Sequence, residues 1–221
     1  MVVPVYNERQ TILELLERIV AVDVSKEVIV VDDGSTDGTA EALRGYSHPA
    51  VRVITQANRG RGYALRQGWA SARGRIIMNQ DADLEYNPGE YLALIQPILD
   101  DEADVVFGSR FKGTMGGMMF RAWLANRALT LMINLIYRAR LTDSMTCYKV
   151  FRGDTLRTLK WTEDSWELDA QIIAQILRRR IRLREVPITF EARSYEEGKK
   201  LRAKHFFTMG WSLLRYRFKN Q

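Results

Sequence analysis

Short apolar runs separated by polar or glycine-containing stretches set the rhythm of the first half of the chain. Residues 2–5, 28–31, 51–54, 76–78 and 105–107 are brief, rich in β-branched side chains and bounded by polar segments, which is the pattern of buried strands. Between the first two, Ile12, Leu15, Leu16, Ile19 and Val20 recur at helical spacing, and Asn7 with Gln10 three residues later reads as a capping box that starts the helix at Asn7. Further helices are predicted over 39–44, ended by Gly45, over 62–73, ended by Gly74, and over 91–99. Strands alternating with helices predict an α/β fold with a largely parallel sheet covered on both faces.

After Gly108 the pattern changes. A long apolar and basic helix is predicted over 118–138, then a short strand around 147–151. Leu168, Ile172, Ile173, Ile176 and Leu177 give the next helix a buried stripe, and 182–190 reads as an edge strand containing Pro187. A basic, aromatic helix closes the chain. No repeat, low-complexity tract or linker interrupts the 221 residues, so one domain is expected, with a ligand-binding half over 1–108 and a second half over 109–221.

Charge adds an asymmetry to this picture. Residues 105–142 hold six Lys/Arg and 198–221 hold seven, with no Asp or Glu in either. The other 20 basic residues face all 27 acidic ones, so the remainder carries about −7 while the whole is +6. The basic segments are interleaved with Met118, Met119, Phe120, Trp123, Phe206, Phe207, Trp211 and Tyr216, a mixture suited to an anionic membrane surface. No nucleic-acid motif accompanies the basic charge, so nucleic acid is not an expected partner. The longest uncharged apolar stretches, 128–137 and 205–214, are ten residues each, about half of the ~20 needed to span a bilayer. Cys147 is the single cysteine, so no intrachain disulfide can form. No secretory leader is legible at the N-terminus, and a cytoplasmic location is expected.

In an open α/β sheet, ligands bind beyond the carboxyl ends of the strands, and here those ends are acidic. Strand one runs into Tyr6-Asn7-Glu8, strand two into Asp32-Asp33-Gly34-Ser35-Thr36-Asp37-Gly38-Thr39, and strand four into Asp81-Ala82-Asp83-Leu84-Glu85. Each segment alone also suits a turn or a helix cap. Together they predict one carboxylate-rich crevice. An extended segment would put Asp81, Asp83 and Glu85 on one face, whereas a tight turn would present part of that set. Hard oxygen ligands of this kind suit Mg²⁺ or Mn²⁺, with substrate phosphates completing the shell. The first strand lacks the G-x-G-x-x-G turn of a dinucleotide-binding oxidoreductase. Arg59-Gly60-Arg61-Gly62 follows the third strand instead, and reads either as a flexible basic loop near the ligand or as the ordinary start of a helix.

The order and spacing of Pro4-Val5-Tyr6-Asn7-Glu8, Val30-Val31-Asp32-Asp33-Gly34-Ser35-Thr36-Asp37-Gly38-Thr39 and Asn79-Gln80-Asp81-Ala82-Asp83-Leu84 resemble glycosyltransferase family 2. Gly108-Ser109-Arg110, Leu141-Thr142-Asp143, Thr146-Cys147-Tyr148-Lys149 and Glu191-Ala192-Arg193-Ser194-Tyr195-Glu196-Glu197-Gly198-Lys199-Lys200 extend the resemblance to its dolichyl- and polyprenyl-phosphate sugar synthases, which transfer sugars such as mannose or glucose. The resemblance implies an A-type glycosyltransferase fold with a Rossmann-like, mostly parallel central sheet and helices on both faces. It also implies an inverting transfer from a GDP- or UDP-linked sugar, with a lipid phosphate as acceptor.

Carried over by position, Pro4 and Val5 form a floor for the base, Tyr6, Glu8 and Asp33 contact the nucleoside, and Asp81, Ala82 and Asp83 meet ribose, diphosphate and metal. Glu85 stands where these synthases often carry Gln and could add a metal oxygen. Arg110, Arg127, Arg193, Lys199 and Lys200 are the implied phosphate receivers, with solvated surface charge as the alternative for each. Asp143, Glu167 and Asp169 are candidate bases, although each also suits a turn or the positive end of a helix. Some members of the family carry transmembrane helices after the position of Tyr216. Without such an anchor, peripheral attachment at the cytoplasmic face of a membrane through the two basic segments is expected. Transfer to a hydroxyl acceptor, or nucleotide-sugar binding without transfer, are the competing readings.

Overall fold

The computed structural model describes residues 1–193 and 203–218. Strands β1 (Val2–Val5), β2 (Val28–Asp32) and β3 (Val51–Thr55) form a parallel ladder in which Val3 lies beside Val30, and Val30 beside Val53. Strands β4 (Ile76–Met78), β5 (Val105–Ser109), β7 (Lys149–Arg152) and β8 (Leu183–Pro187) form a second ladder, in the order β4-β7-β5-β8. A parallel bridge between Val2 and Asn79, with the Gln80 amide donating to the Val2 carbonyl at 2.9 Å, joins the two ladders. The result is one sheet in the order 3-2-1-4-7-5-8. All its pairings are parallel except those of β7, which is antiparallel to both neighbours.

Strand β2 shows why this sheet is buried on both faces. Val28 and Val30 face a core built with helices α1 (Ile12–Ala21) and α4 (Tyr91–Leu99), whereas Ile29 and Val31 face a core built with α3 (Arg61–Ser71) and α7 (Glu167–Arg178). Successive side chains point to opposite faces, so a continuous apolar run supplies both cores at once. Helix α2 (Thr39–Gly45) lies on the first side, while α5 (Phe120–Tyr137), α6 (Gly153–Thr158) and α8 (Ala203–Phe218) lie on the second.

The structure departs from the sequence expectations at several boundaries. Helix α1 begins at Ile12, with Thr11 rather than Asn7 at its N-cap. Asn7 has φ 53°, and its side-chain oxygen accepts from the Thr36 amide at 2.8 Å, tying the first strand end to the second. The strand expected over 182–190 is two: β8 ends at Pro187, and β9 (Phe190–Glu191) turns away to pair with β6 (Met115–Gly116). Helix α5 starts at Phe120, two residues later than expected, and β7 starts at Lys149.

Candidate active site

The carboxyl ends of β1, β2 and β4 open onto one cavity of about 580 Å³. Pro4, Val5, Tyr6, Glu8, Asp33, Asp81, Ala82 and Asp83, all expected at the donor site, line it, as do Glu85, Arg110, Asp169 and Arg193. Asp143, Glu167 and Arg127 do not. Lys199 and Lys200 lie outside the described residues.

Local hydrogen bonding explains how these groups are held. The Asp33 carboxylate accepts from the Arg59 and Gly60 amides at 2.9 and 2.8 Å and from the Gln56 side chain at 2.7 Å. It thereby fixes the turn in which Gly60 takes φ 100°, a conformation that favours glycine. Gln80, fully buried, accepts from the Tyr91 and Tyr148 hydroxyls at 2.7 and 2.8 Å and donates to the Asp81 carbonyl at 2.9 Å. The acidic turn after β4 therefore rests on a rigid, hydrogen-bonded floor.

Two arginines organise the carboxylates. Arg61, the first residue of α3, pairs with Asp81 and with Asp169, both at 3.0 Å, and lies against the Trp166 ring at 4.8 Å. Buried Lys149 pairs with the other Asp169 oxygen at 3.0 Å. Burial alone would raise the Asp169 carboxyl, but Lys149 and Arg61 outweigh it and hold the group below the usual carboxylate range. Arg193 bridges Glu8, at 2.9 and 3.1 Å, and Asp83, at 3.0 Å. Asp83 is nevertheless pushed up to about 8, by burial first and then by the charges of Asp81 and Glu85, which together outweigh the lowering effect of Arg193.

Asp143, expected as a candidate base, does not line the cavity. It is fully buried and forms a bidentate pair with Arg110, at 2.7 and 2.9 Å, which holds that guanidinium at the cavity wall. Arg127 is exposed, over the Phe111 ring at 5.2 Å. Glu167 opens helix α7, in its first turn.

Among the described residues no three His, Cys, Asp or Glu side chains are grouped to hold a metal. Asp81, Asp83 and Glu85 all line the cavity, and Glu85 also accepts from the Arg193 amide at 2.9 Å. Two carboxylates are a donor set that a hard divalent cation accepts when phosphate oxygens supply the rest, so the residues fit such an ion together with a diphosphate.

Arg61, Trp166, Lys149 and Cys147 were not singled out as site residues in the sequence. The nearest signals were the motif Thr146-Cys147-Tyr148-Lys149 for two of them and Arg59-Gly60-Arg61-Gly62 for Arg61, the latter being both the start of a helix and part of the cavity wall.

The family model for glycosyl transferase family 2 matches residues 1–160, and the chain belongs to that family. It is 30% identical over 210 residues to the dodecaprenyl-phosphate galacturonate synthase of Rhizobium johnstonii, covering 90% of this chain and 60% of the relative. It is 29% identical over 212 residues to the undecaprenyl-phosphate mannosyltransferase of Micrococcus luteus, covering 90% and 85%. The chain therefore spans about 60% of the length of the first of these relatives. Its fold is similar to that of glucosyl-3-phosphoglycerate synthase from Mycobacterium tuberculosis, solved with phosphoglyceric acid, at a TM-score of 0.76 and 19% identity over all of this chain and 80% of that one. The A-type glycosyltransferase fold and the family resemblance to lipid-phosphate sugar synthases are both borne out.

Proposed function

We propose that the chain is the catalytic unit of an inverting glycosyltransferase that moves a sugar from a nucleoside-diphosphate donor to a polyprenyl or dolichyl phosphate, at the cytoplasmic face of a membrane. The observation that carries this reading is the convergence of Glu8, Asp81 and Asp83 with Arg61 and Arg193 in one cavity at the strand ends. Pro4, Val5 and the partly exposed Tyr6 ring offer an apolar seat for the base. Asp81 and Asp83 would hold Mg²⁺ or Mn²⁺, which supplies charge stabilisation for the departing nucleoside diphosphate. Arg193 would exchange its carboxylate partners for phosphate, with Arg110 held ready by Asp143.

The state of Asp169 favours a phosphate acceptor over a hydroxyl. A carboxylate held ionised by two buried cations is a poor proton acceptor, and a hydroxyl nucleophile needs a base. A phosphate monoester, with a second pKa near ~6, is already mostly ionised at neutral pH. Single displacement by that oxygen inverts the anomeric carbon without a protein nucleophile.

Incubation with a panel of GDP- and UDP-sugars, Mg²⁺ or Mn²⁺ and short polyprenyl phosphates, read by mass, tests the reading. A lipid-phosphate sugar is expected, with a rate that rises through about pH 6 as the acceptor loses its second proton. Product on sugar or lipid hydroxyls alone would replace the acceptor assignment. Nucleotide-sugar binding without transfer to anything would remove the catalytic one.

A further inference from the structure

Glu185 does not line the cavity, yet the groups it holds belong to the support of Arg110, which does. It stands on β8 beside Phe107 of β5, and its side chain is 4% exposed. Its oxygens accept from the Thr142 amide at 2.8 and 3.0 Å, from the Thr142 hydroxyl at 2.9 Å and from the Asp143 amide at 2.9 Å. Lys112, 42% exposed, adds an ion pair at 3.3 Å. A carboxylate this buried is costly without such partners, so it and the backbone of 142–143 fix each other's position.

Hydroxyl chemistry gives the network a direction. The Thr142 hydroxyl donates its one proton to Glu185, so at its 2.6 Å contact with Ser109 it accepts, and the Ser109 hydroxyl is the donor. Ser109 in turn accepts from the Lys112 amide at 3.3 Å. The chain from Lys112 through Ser109 and Thr142 therefore ends on Glu185 and locks the residue before Arg110. On the other branch, Asp143 Oδ2 accepts from the Arg110 amide at 3.1 Å as well as from Nε, and Oδ1 accepts from the Met145 amide at 3.1 Å as well as from Nη2. All four acceptor positions of Asp143 are filled. Arg110 Nη1 has no partner among the described residues, and the Phe190 ring, 5.0 Å from the guanidinium carbon, limits how the group can turn.

We propose that Glu185 is a positioning residue for Arg110. By anchoring the Thr142 and Asp143 amides it sets where Asp143 holds the guanidinium, and so how tightly the cavity binds a phosphate monoester. This role rests on the reading of Arg110 as a receiver of the acceptor phosphate. Glutamine at 185 keeps the shape but sets an NH₂ group among donors. Its tolerable orientation faces the Thr142 hydroxyl, which must then turn its proton toward Ser109 and reverse the chain. Loss of a negative charge near an anion site would by itself strengthen anion binding, so displacement and charge act with opposite signs. The loop stays tethered in either case. Asn134 of α5 exchanges two hydrogen bonds with Leu141, at 2.8 and 2.9 Å, and Thr130 bonds Ser144 at 2.9 Å.

The test compares Glu185→Gln, Arg110→Gln and the double variant, with urea unfolding alongside. A short, water-dispersed polyprenyl phosphate is titrated calorimetrically into each protein, and is also supplied as acceptor with a nucleotide sugar and Mn²⁺. Glu185→Gln is expected to weaken phosphate binding and raise the acceptor KM roughly tenfold, with the donor KM unchanged and the unfolding midpoint near that of the wild type. In the Arg110→Gln background the same change should add nothing. Thr142→Val, which cuts the chain at its middle and leaves both amides bonded, should act in the same direction by less, and it carries the comparison should Glu185→Gln fail to fold. The ¹⁵N–¹H signal of Arg110 Nε, identified by its loss in Arg110→Gln, should exchange slowly in the wild type and faster in Glu185→Gln.

Tighter phosphate binding in Glu185→Gln, or an unchanged Nε signal, overturns the proposal, as does an equal loss with and without Arg110. Faster Nε exchange with unchanged phosphate affinity leaves Glu185 as the residue that positions Arg110 and removes Arg110 from the acceptor site.

Discussion

Arg61 joins two carboxylates that the chain separates by 88 residues, Asp81 and Asp169, and its side chain is 14% exposed. Lysine at this position keeps the charge but loses the planar fork that reaches both partners. Arg61→Lys should therefore leave the protein folded while lowering turnover at least about tenfold through misplacement of Asp81. Steady-state kinetics beside urea unfolding would show it, and unchanged turnover would remove Arg61 from the site. Asp83 behaves differently. Because its carboxyl is pushed up to about 8, the folded, ligand-free protein binds a proton there that the unfolded chain releases near pH 4, so its contribution to stability falls as pH rises from about 4 to 8. Asp83→Asn should flatten that slope and cost little stability at neutral pH, yet abolish metal-assisted binding of nucleoside diphosphate. Thermal melts across pH and isothermal titration with Mn²⁺ check the two halves of the expectation. Glu8, Asp81 and Asp83 were legible in the sequence because each follows a strand in a recognisable motif. Arg61, Lys149 and Trp166 were not, because Arg61 and Lys149 meet Asp169, and Trp166 meets Arg61, only when α7 packs against α3.

At the scale of elements, hydrophobic spacing located strands and helices well and their termini less well. Helix α4 occupies the expected 91–99, whereas α1 starts five residues after Asn7 because that residue serves a tertiary contact with Thr36. Spacing also carries no strand direction, so the antiparallel β7 within a parallel sheet was invisible until its neighbours were known. The start of α3 shows how closely elements meet around the cavity. A Cβ on Gly62 would come within 2.4 Å of the Ser165 carbonyl oxygen and 2.7 Å of the Asp164 carbonyl carbon, both backbone, and the Tyr63 amide donates to the Asp164 carbonyl at 3.0 Å. Neither side can yield without shifting the other. Gly62→Ala should cost about 1–3 kcal/mol and displace Arg61 with it, so denaturant midpoint and turnover should fall together. A variant as stable and active as wild type would mean that the α3 start and the 164–166 segment are less closely coupled than the contact implies.

For the whole molecule, the sheet order decides how far the two halves of the sequence are separable. Strand β7, from the second half, lies between β4 and β5 of the first, and β8, also from the second half, lies on the other side of β5. Without residues 109–221, β4 would keep only the Val2–Asn79 bridge and β5 would lose both neighbours. The core would lose Phe151, which packs edge-on against Trp69 with ring centroids 6.0 Å apart, along with the apolar face of α7. The cavity would lose Arg110, Trp166, Asp169 and Arg193. Backbone groups left unpaired in a buried strand cost about 1–3 kcal/mol each, and a domain has only about 5–15 kcal/mol of net stability to set against them. Residues 1–108 expressed alone should therefore show no cooperative thermal transition and no near-ultraviolet dichroism from Trp69, and adding nucleoside diphosphate with Mn²⁺ should not restore either signal. A fragment that melts cooperatively and binds the nucleotide would show that the donor side is an autonomous unit, and that β7 completes the acceptor side without holding the sheet together.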